Sequence, residues 1–318
     1  MKNLTTFAVA IATAALVGSV PAVSQTKIGI VAYQMSAETH ARVANAAEAA
    51  AKAKGWQATV LNSRGSTPEH AAQVENLIQS GVNGIVMAMG KMLELDAQLA
   101  QAKAKGIPVI SVMSGASPHA QYDVNVDEFV VGAKIATYLL ARMNYQGNLL
   151  MQRYEGHGGT RARGKVMDVV LTENSGVKLL GSYTMARPQT WREDVKAGME
   201  ALILKNQGSI NAIWASFDGQ AFIIDDLLKA AGAKKGQVLL TGVDGGQETF
   251  NRIRDKDSLV IATVAIPFEK MGEAAIDGID RIAVKKQAKA TITPGPFLYM
   301  DPVLVDETNV PAAGKWPW

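Results

Sequence analysis

The chain contains no cysteine, which excludes disulfides, thiolate metal sites, cysteine nucleophiles and a lipid carried on an N-terminal cysteine. An excess of one charge is missing too: 32 Lys and Arg face 29 Asp and Glu, and a net charge of +3 is too even for a nucleic-acid surface. No apolar run reaches the roughly 20 residues needed to span a bilayer, the stretch from Thr5 to Val17 included. Histidine is scarce, and His40, His70, His119 and His157 show no metal-ligand spacing such as HxxxH, so neither a metal site nor a metal cofactor is expected. The catalytic motifs are absent as well. There is no GxSxG elbow, and the loop Gly156-His157-Gly158-Gly159-Thr160-Arg161 lacks both the GKS/T ending of a P-loop and the GxGxxG dinucleotide pattern. It reads instead as a loop that opens a helix and turns free N–H groups toward a cleft. Asp225 and Asp226 are adjacent on a helix and point to different faces, so they read as solvated residues and not as an acid/base pair. Without nucleophile, base or oxyanion motif, the chain is not expected to be an enzyme or to need a cofactor.

What is present begins with a targeting pattern. Lys2 precedes the apolar, small-residue run from Phe7 to Val17, followed by Gly18, Pro21 and Ala22-Val23-Ser24. This is the layout of a signal peptide covering residues 1–24, cleaved after Ser24. A soluble mature chain starting at Gln25, exported and not lipid-anchored, is the expectation.

The remainder alternates short apolar strands with helices, and 48% apolar residues over 318 supply a core for each of two domains. Strands Lys27 to Ala32, Gly84 to Ala88 and Val109 to Val112 show no in/out alternation, as a parallel sheet buried on both faces requires. Helices Ala41 to Lys54, Pro68 to Ser80 and Leu93 to Lys105 fit as crossovers between them. The rhythm restarts after Tyr122 to Val126, with strands near 148–151, 179–182, 212–215, 238–243 and 261–264. Helix Phe268 to Val284 and a terminal strand Phe297 to Val305 complete it. The fold class is therefore α/β: two doubly wound parallel-sheet lobes joined by a hinge, with a ligand cleft between them. The N-terminal lobe takes residues 25–124 plus 267–294 and the C-terminal lobe 125–266 plus 295–318, with crossings near Asp123 to Asn125, Ala265 to Pro267 and Pro294 to Pro296.

The segments Lys27-Ile28-Gly29-Ile30-Val31, Gln73-Val74-Glu75-Asn76-Leu77-Ile78, Gly81-Val82-Asn83-Gly84-Ile85-Val86, Ala102 to Val109, Gly242-Val243-Asp244-Gly245 and Ala262-Thr263-Val264-Ala265 follow one another in order. Together they resemble the ribose-type substrate-binding proteins of bacterial sugar ABC transporters, which have the type I periplasmic binding protein fold, over essentially the whole mature chain. The resemblance implies a periplasmic protein that captures a small sugar-like or polyol ligand by hinge closure and delivers it to a membrane permease. It implies a monomer that uses neither cofactor nor nucleic acid. The same fold could also serve a less polar, aromatic or carboxylated ligand, or present its closed form to a receptor as a sensor.

The resemblance places Arg161 where the family grips ligand hydroxyls, Asp244 at its acidic acceptor and Trp191 at an aromatic that stacks on a sugar face. A forked cation, an acceptor and a flat apolar plate suit a polyhydroxylated ring. Structural ion pairing of Arg161 and Asp244, or core packing of Trp191, are the alternatives. Elsewhere the family's polar groups are replaced. Ala37-Glu38-Thr39-His40 stands for its Asn-Pro-Phe-Phe segment, Met113-Ser114 for an Asp-Arg pair, and Phe217, Ile266, Ala88 and Val126 for polar residues. The pocket is accordingly expected to be more apolar than a pentose site, with Tyr33, Met89, Met113, Trp191 and Phe217 as walls and His40 beside Tyr33 on the first lobe.

Overall fold

The computed structural model describes residues 25–318, so the expected signal segment 1–24 and its cleavage site lie outside the described residues. Two six-stranded sheets form, and both repeat one order. The first runs β2 (Gln57–Asn62), β1 (Lys27–Ala32), β3 (Gly84–Ala88), β4 (Val109–Val112), β5 (Tyr122–Asn125) and β11 (Phe297–Tyr299), with every pairing parallel. The second runs β7 (Val177–Thr184), β6 (Gly147–Arg153), β8 (Ala212–Ala215), β9 (Leu239–Asp244), β10 (Val260–Ala265) and β12 (Val303–Asp306), all parallel except β12 against β10. Strands β3, β4, β8 and β10 are buried at every position, because crossover helices cover both faces of each sheet.

Helices α1 (Glu38–Ala53), α2 (Thr67–Gln79) and α3 (Asp96–Ala104) flank the first sheet. α4 (Glu128–Arg142), α5 (Gly158–Thr172), α6 (Trp191–Lys205), α7 (Asp218–Ala230) and α8 (Gln247–Arg254) flank the second. The chain then returns, and α9 (Phe268–Ile279) packs along α1 on the first lobe. Gly272 permits that approach, since a Cβ there would lie 2.5 Å from the Val43 carbonyl oxygen. The expected long helix from Phe268 ends in one wider π-helical turn over Asp280–Val284.

Two expectations are corrected here. Phe297 to Val305 is not one strand: Phe297–Tyr299 pairs with β5 in the first sheet, and Val303–Asp306 pairs with β10 in the second. Asp301-Pro302 interrupts the apolar run, and proline has no N–H for a ladder. Residues 297–299 thus belong to the first sheet, not to the C-terminal lobe, and the last crossing falls at 300–302 instead of Pro294 to Pro296. The other two crossings follow β5 and β10, at 126–127 and 266–267. Asp225 is also not solvated: it is fully buried and accepts from Ser258 Oγ, the Leu259 N–H and Arg252.

Candidate ligand-binding cleft

The carboxyl ends of the strands in both sheets face one cavity of about 620 Å³. In an open parallel sheet this is where the chain leaves each strand for a helix, so side chains there are positioned by rigid elements yet left outside the core. Tyr33, Met89 and Met113 follow β1, β3 and β4; Tyr154 follows β6, Phe217 lies just beyond β8, and Asp244 is the last residue of β9. His40 and Arg42 come from the first turns of α1, and Trp191 begins α6.

Of the eight side chains expected at a site, seven line this cavity: Asp244, Trp191, Tyr33, His40, Phe217, Met113 and Met89. Arg161 does not. It is exposed, its guanidinium donates to the Glu155 carbonyl at 2.7 Å, and it borders a separate shallow depression with Phe129, Lys165 and Tyr299. The arginine that α5 contributes to the cleft is Arg163, two residues on. The inward stripe of α5 is Gly159, Thr160, Arg163, Gly164 and Met167, the spacing of one helical face. Position 161 is turned about 100° from Thr160 and falls off that stripe.

Arg163 is only 3% exposed. Its Nε and Nη2 donate to both carboxylate oxygens of Glu128 at 2.6 and 2.9 Å, and Nη1 donates to the Ser216 carbonyl at 3.0 Å. Its contact with Asp244 is long, 3.5 Å. The arginine's charge is therefore answered by Glu128, and Asp244 is left as an enclosed carboxylate, 15% exposed, with one weak partner among the described residues. Burial pushes the Asp244 carboxyl well above its ordinary range, with Asp218 and Glu128 adding to the rise and Arg163 opposing it. Asp244 also holds φ at +129°, a backbone setting that L side chains rarely adopt.

Asp218 shares the cavity wall but is occupied. It accepts from Thr249 Oγ1, Thr263 Oγ1 and the Gly245 N–H, which fixes the loop after β9 and so the position of Asp244. Burial raises its carboxyl to about 6, although those three donors pull the other way. Both cleft histidines are held neutral. Desolvation lowers His40 to about 3 and lowers His157 as well. His40 Nδ1 accepts from the Gln34 N–H and His157 Nδ1 from the Gly159 N–H, which places the ring proton of each on Nε2. His157 Nε2–H reaches the Met113 carbonyl across the cleft at 3.4 Å. No hydrogen bond to His40 Nε2 is formed among the described residues, so it is a donor available to a ligand.

The apolar walls are extensive. Trp191 and Phe217 meet edge-to-face with centroids 5.4 Å apart, and the Arg192 guanidinium lies 4.4 Å from the Trp191 ring centroid. Tyr33 presents its ring, because its hydroxyl donates to the Gly65 carbonyl at 2.8 Å. At the edge of the cavity Arg42 ties the lobes together. It pairs bidentately with Glu269, donates to the Gly245 carbonyl at 2.7 Å and lies 4.6 Å from the ring centroid of Trp316. Sequence reasoning missed Arg163, Glu128, Tyr154, Phe222 and Arg42. The signal for Arg163 was its three-residue spacing from Thr160; the others are brought in by tertiary packing.

Relatives are consistent with this architecture. The chain is 29% identical over 256 residues to the xylitol-binding protein of Mycolicibacterium smegmatis, covering 77% of this chain and 69% of that one. It is 23% identical over 250 residues to the ribose import binding protein of Bacillus subtilis, covering 77% and 78%. Among solved structures, an ABC transporter solute-binding protein from Agrobacterium vitis with bound allitol superposes with a TM-score of 0.77 at 24% identity, over 90% of this chain and 97% of that one. The 5-methylthioribose transporter solute-binding protein of Thermotoga lettingae superposes with a TM-score of 0.79 at 19% identity, over 89% and 86%. With the family profile described as periplasmic binding protein domain matching residues 28–287, the chain belongs to the periplasmic binding protein family.

Proposed function

We propose that this protein captures a small, neutral, polyhydroxylated solute, a monosaccharide or sugar alcohol, outside the cytoplasm and presents it to the membrane permease of an ABC transporter. Asp244 carries the reading: an enclosed carboxylate at a strand end, with a single 3.5 Å partner, is an acceptor waiting for hydroxyl donors. Arg163 adds a preorganised cation beside it, His40 Nε2–H a donor from the opposite lobe, and Trp191 with Phe217 an apolar surface for C–H faces. Glu128 already answers the Arg163 charge, so the cation beside Asp244 is not left for an anionic solute to pair with. The relatives that bind xylitol and ribose support the same solute class. Export on the segment before Gln25 and action as a monomer without cofactor complete the proposal.

A thermal-shift screen of pentoses, hexoses, pentitols and hexitols on residues 25–318 tests it, followed by small-angle scattering with the best hit. A rise in melting temperature with a smaller radius of gyration at saturation is expected. No shift with any neutral polyol, or a shift with anionic solutes only, contradicts it.

A further inference from the structure

The first lobe gives the cavity a patch whose side chains offer no free polar atom among the described residues, although His40 and Lys91 line the same lobe and Lys91 Nζ lies 5.5 Å from the Tyr33 ring centroid. The patch is made by the residues that follow β1, β3 and β4, namely Tyr33, Met89 and Met113. The Tyr33 hydroxyl is spent on Gly65. Ser114, next to Met113, is turned inward: its Oγ accepts from the Gly90 N–H at 2.7 Å and donates to the Val112 carbonyl at 2.9 Å. Asp123 behind it is fully buried and accepts from the Ser114 N–H.

The two methionines sit on unusual backbone. Met89 has φ +54° and Met113 φ +52°, the left-handed region where glycine or asparagine is at ease and a long side chain is not. They are 9% and 4% exposed, and what they face is the cavity. Backbone strain kept at a site wall points to a use for the side chain it carries. An unbranched, polarizable thioether adapts to an apolar group of irregular shape and offers nothing to a hydroxyl. A fully hydroxylated sugar laid on this patch would leave hydroxyls unpaired against Met89 and Met113.

We propose that the solute is a sugar or polyol with one apolar arm, a deoxy, alkyl or alkylthio terminus. The arm rests on Met89 and Met113, and the hydroxyl-bearing end faces Asp244 and Arg163. This rests on the polyol reading of the cleft and narrows it. The two methionines are then specificity-determining residues.

Calorimetry with matched pairs tests the proposal: ribose against 5-methylthioribose, allose against 6-deoxyallose, and xylitol against 1-deoxyxylitol. The arm-bearing member of the pair that binds should do so about tenfold or more tightly. Asparagine tolerates the left-handed backbone, so M89N and M113N, made singly and together, should abolish or invert that preference in protein shown by circular dichroism to be folded. Equal or tighter binding of the fully hydroxylated member to the parent protein overturns the proposal and leaves the polyol reading standing. A preference that survives in M89N/M113N also overturns it. Absence of binding by all six compounds overturns the polyol reading and the proposal with it.

Discussion

Arg161 and Arg163 differ by two positions and by everything that matters to a site. Arg161→Ala removes an exposed side chain bonded to one carbonyl, so stability should change by no more than about 0.5 kcal/mol and solute affinity not at all. Arg163→Ala strands Glu128 beneath the cleft, and breaking such a pair costs about 3 to 5 kcal/mol, while affinity should fall by more than tenfold. Thermal melts and calorimetry on the two variants check this; equal behaviour would show that the α5 stripe is wrongly assigned. The choice between the arginines was not legible from Thr160-Arg161-Ala162-Arg163, because both lie in the helix and only its phase separates them. The strand-end residues were easier, since Tyr33, Met89, Met113 and Asp244 each close an apolar run. At the same scale, His40 titrates near 3 in the folded protein against an ordinary 6.5, because burial disfavours its charge. His70, lowered by burial to about 4, acts in the same sense. Their stabilising contribution is complete above pH 6.5 and lost as pH falls toward 3, since unfolding then takes up protons. Asp218, raised to about 6, works oppositely between about 4 and 6, favouring the folded state on the acid side of that window. Asp244 and Asp123, also raised by burial, act in the same sense as Asp218, so the test is differential: as pH falls from 6.5 to 4, His40→Gln should lose less melting temperature than the parent. The same pH dependence in parent and His40→Gln would contradict a neutral, buried His40.

Among the elements, the contact of α1 with α9 is the tightest helix pairing described. A Cβ on Gly272 would meet the Val43 carbonyl at 2.5 Å and the Ala47 nitrogen at 3.0 Å, both backbone atoms that cannot rotate away. Gly272→Val should therefore force the helices apart and cost about 1 to 3 kcal/mol, read as a lower urea midpoint at unchanged slope. A midpoint equal to the parent's would mean that the pairing is loose. Strands buried on both faces were legible because Gly84–Ala88 and Ala212–Ala215 can only be unbroken apolar runs. α8 was not, since its eight residues carry just Phe250 and Ile253 as apolar anchors within a polar run. The split of the terminal segment into β11 and β12 was hidden for another reason. Which sheet a short strand joins is decided by partners more than 30 residues away, Asp123 to Asn125 and Ala262 to Ala265, and not by its own pattern.

Across the whole molecule, the duplicated sheet order brings two sets of strand ends face to face, and three crossings connect the lobes. Arg42 holds the lobes from both sides of the cavity edge, joined to Glu269 on one and to Gly245 and Trp316 on the other. Asp244 on the second lobe and His40 Nε2 on the first both line the cavity without a strong hydrogen-bond partner among the described residues, so both are open to a solute. Removing one charged partner from an enclosed hydrogen bond costs about 2 to 5 kcal/mol of affinity. Calorimetric titration of the best neutral polyol into the parent protein and into Asp244→Ala is the most direct test. One-to-one binding that is lost in Asp244→Ala, with the free variant still melting close to the parent, is the predicted result. Undiminished affinity in Asp244→Ala would contradict the assignment of this cleft as the solute site.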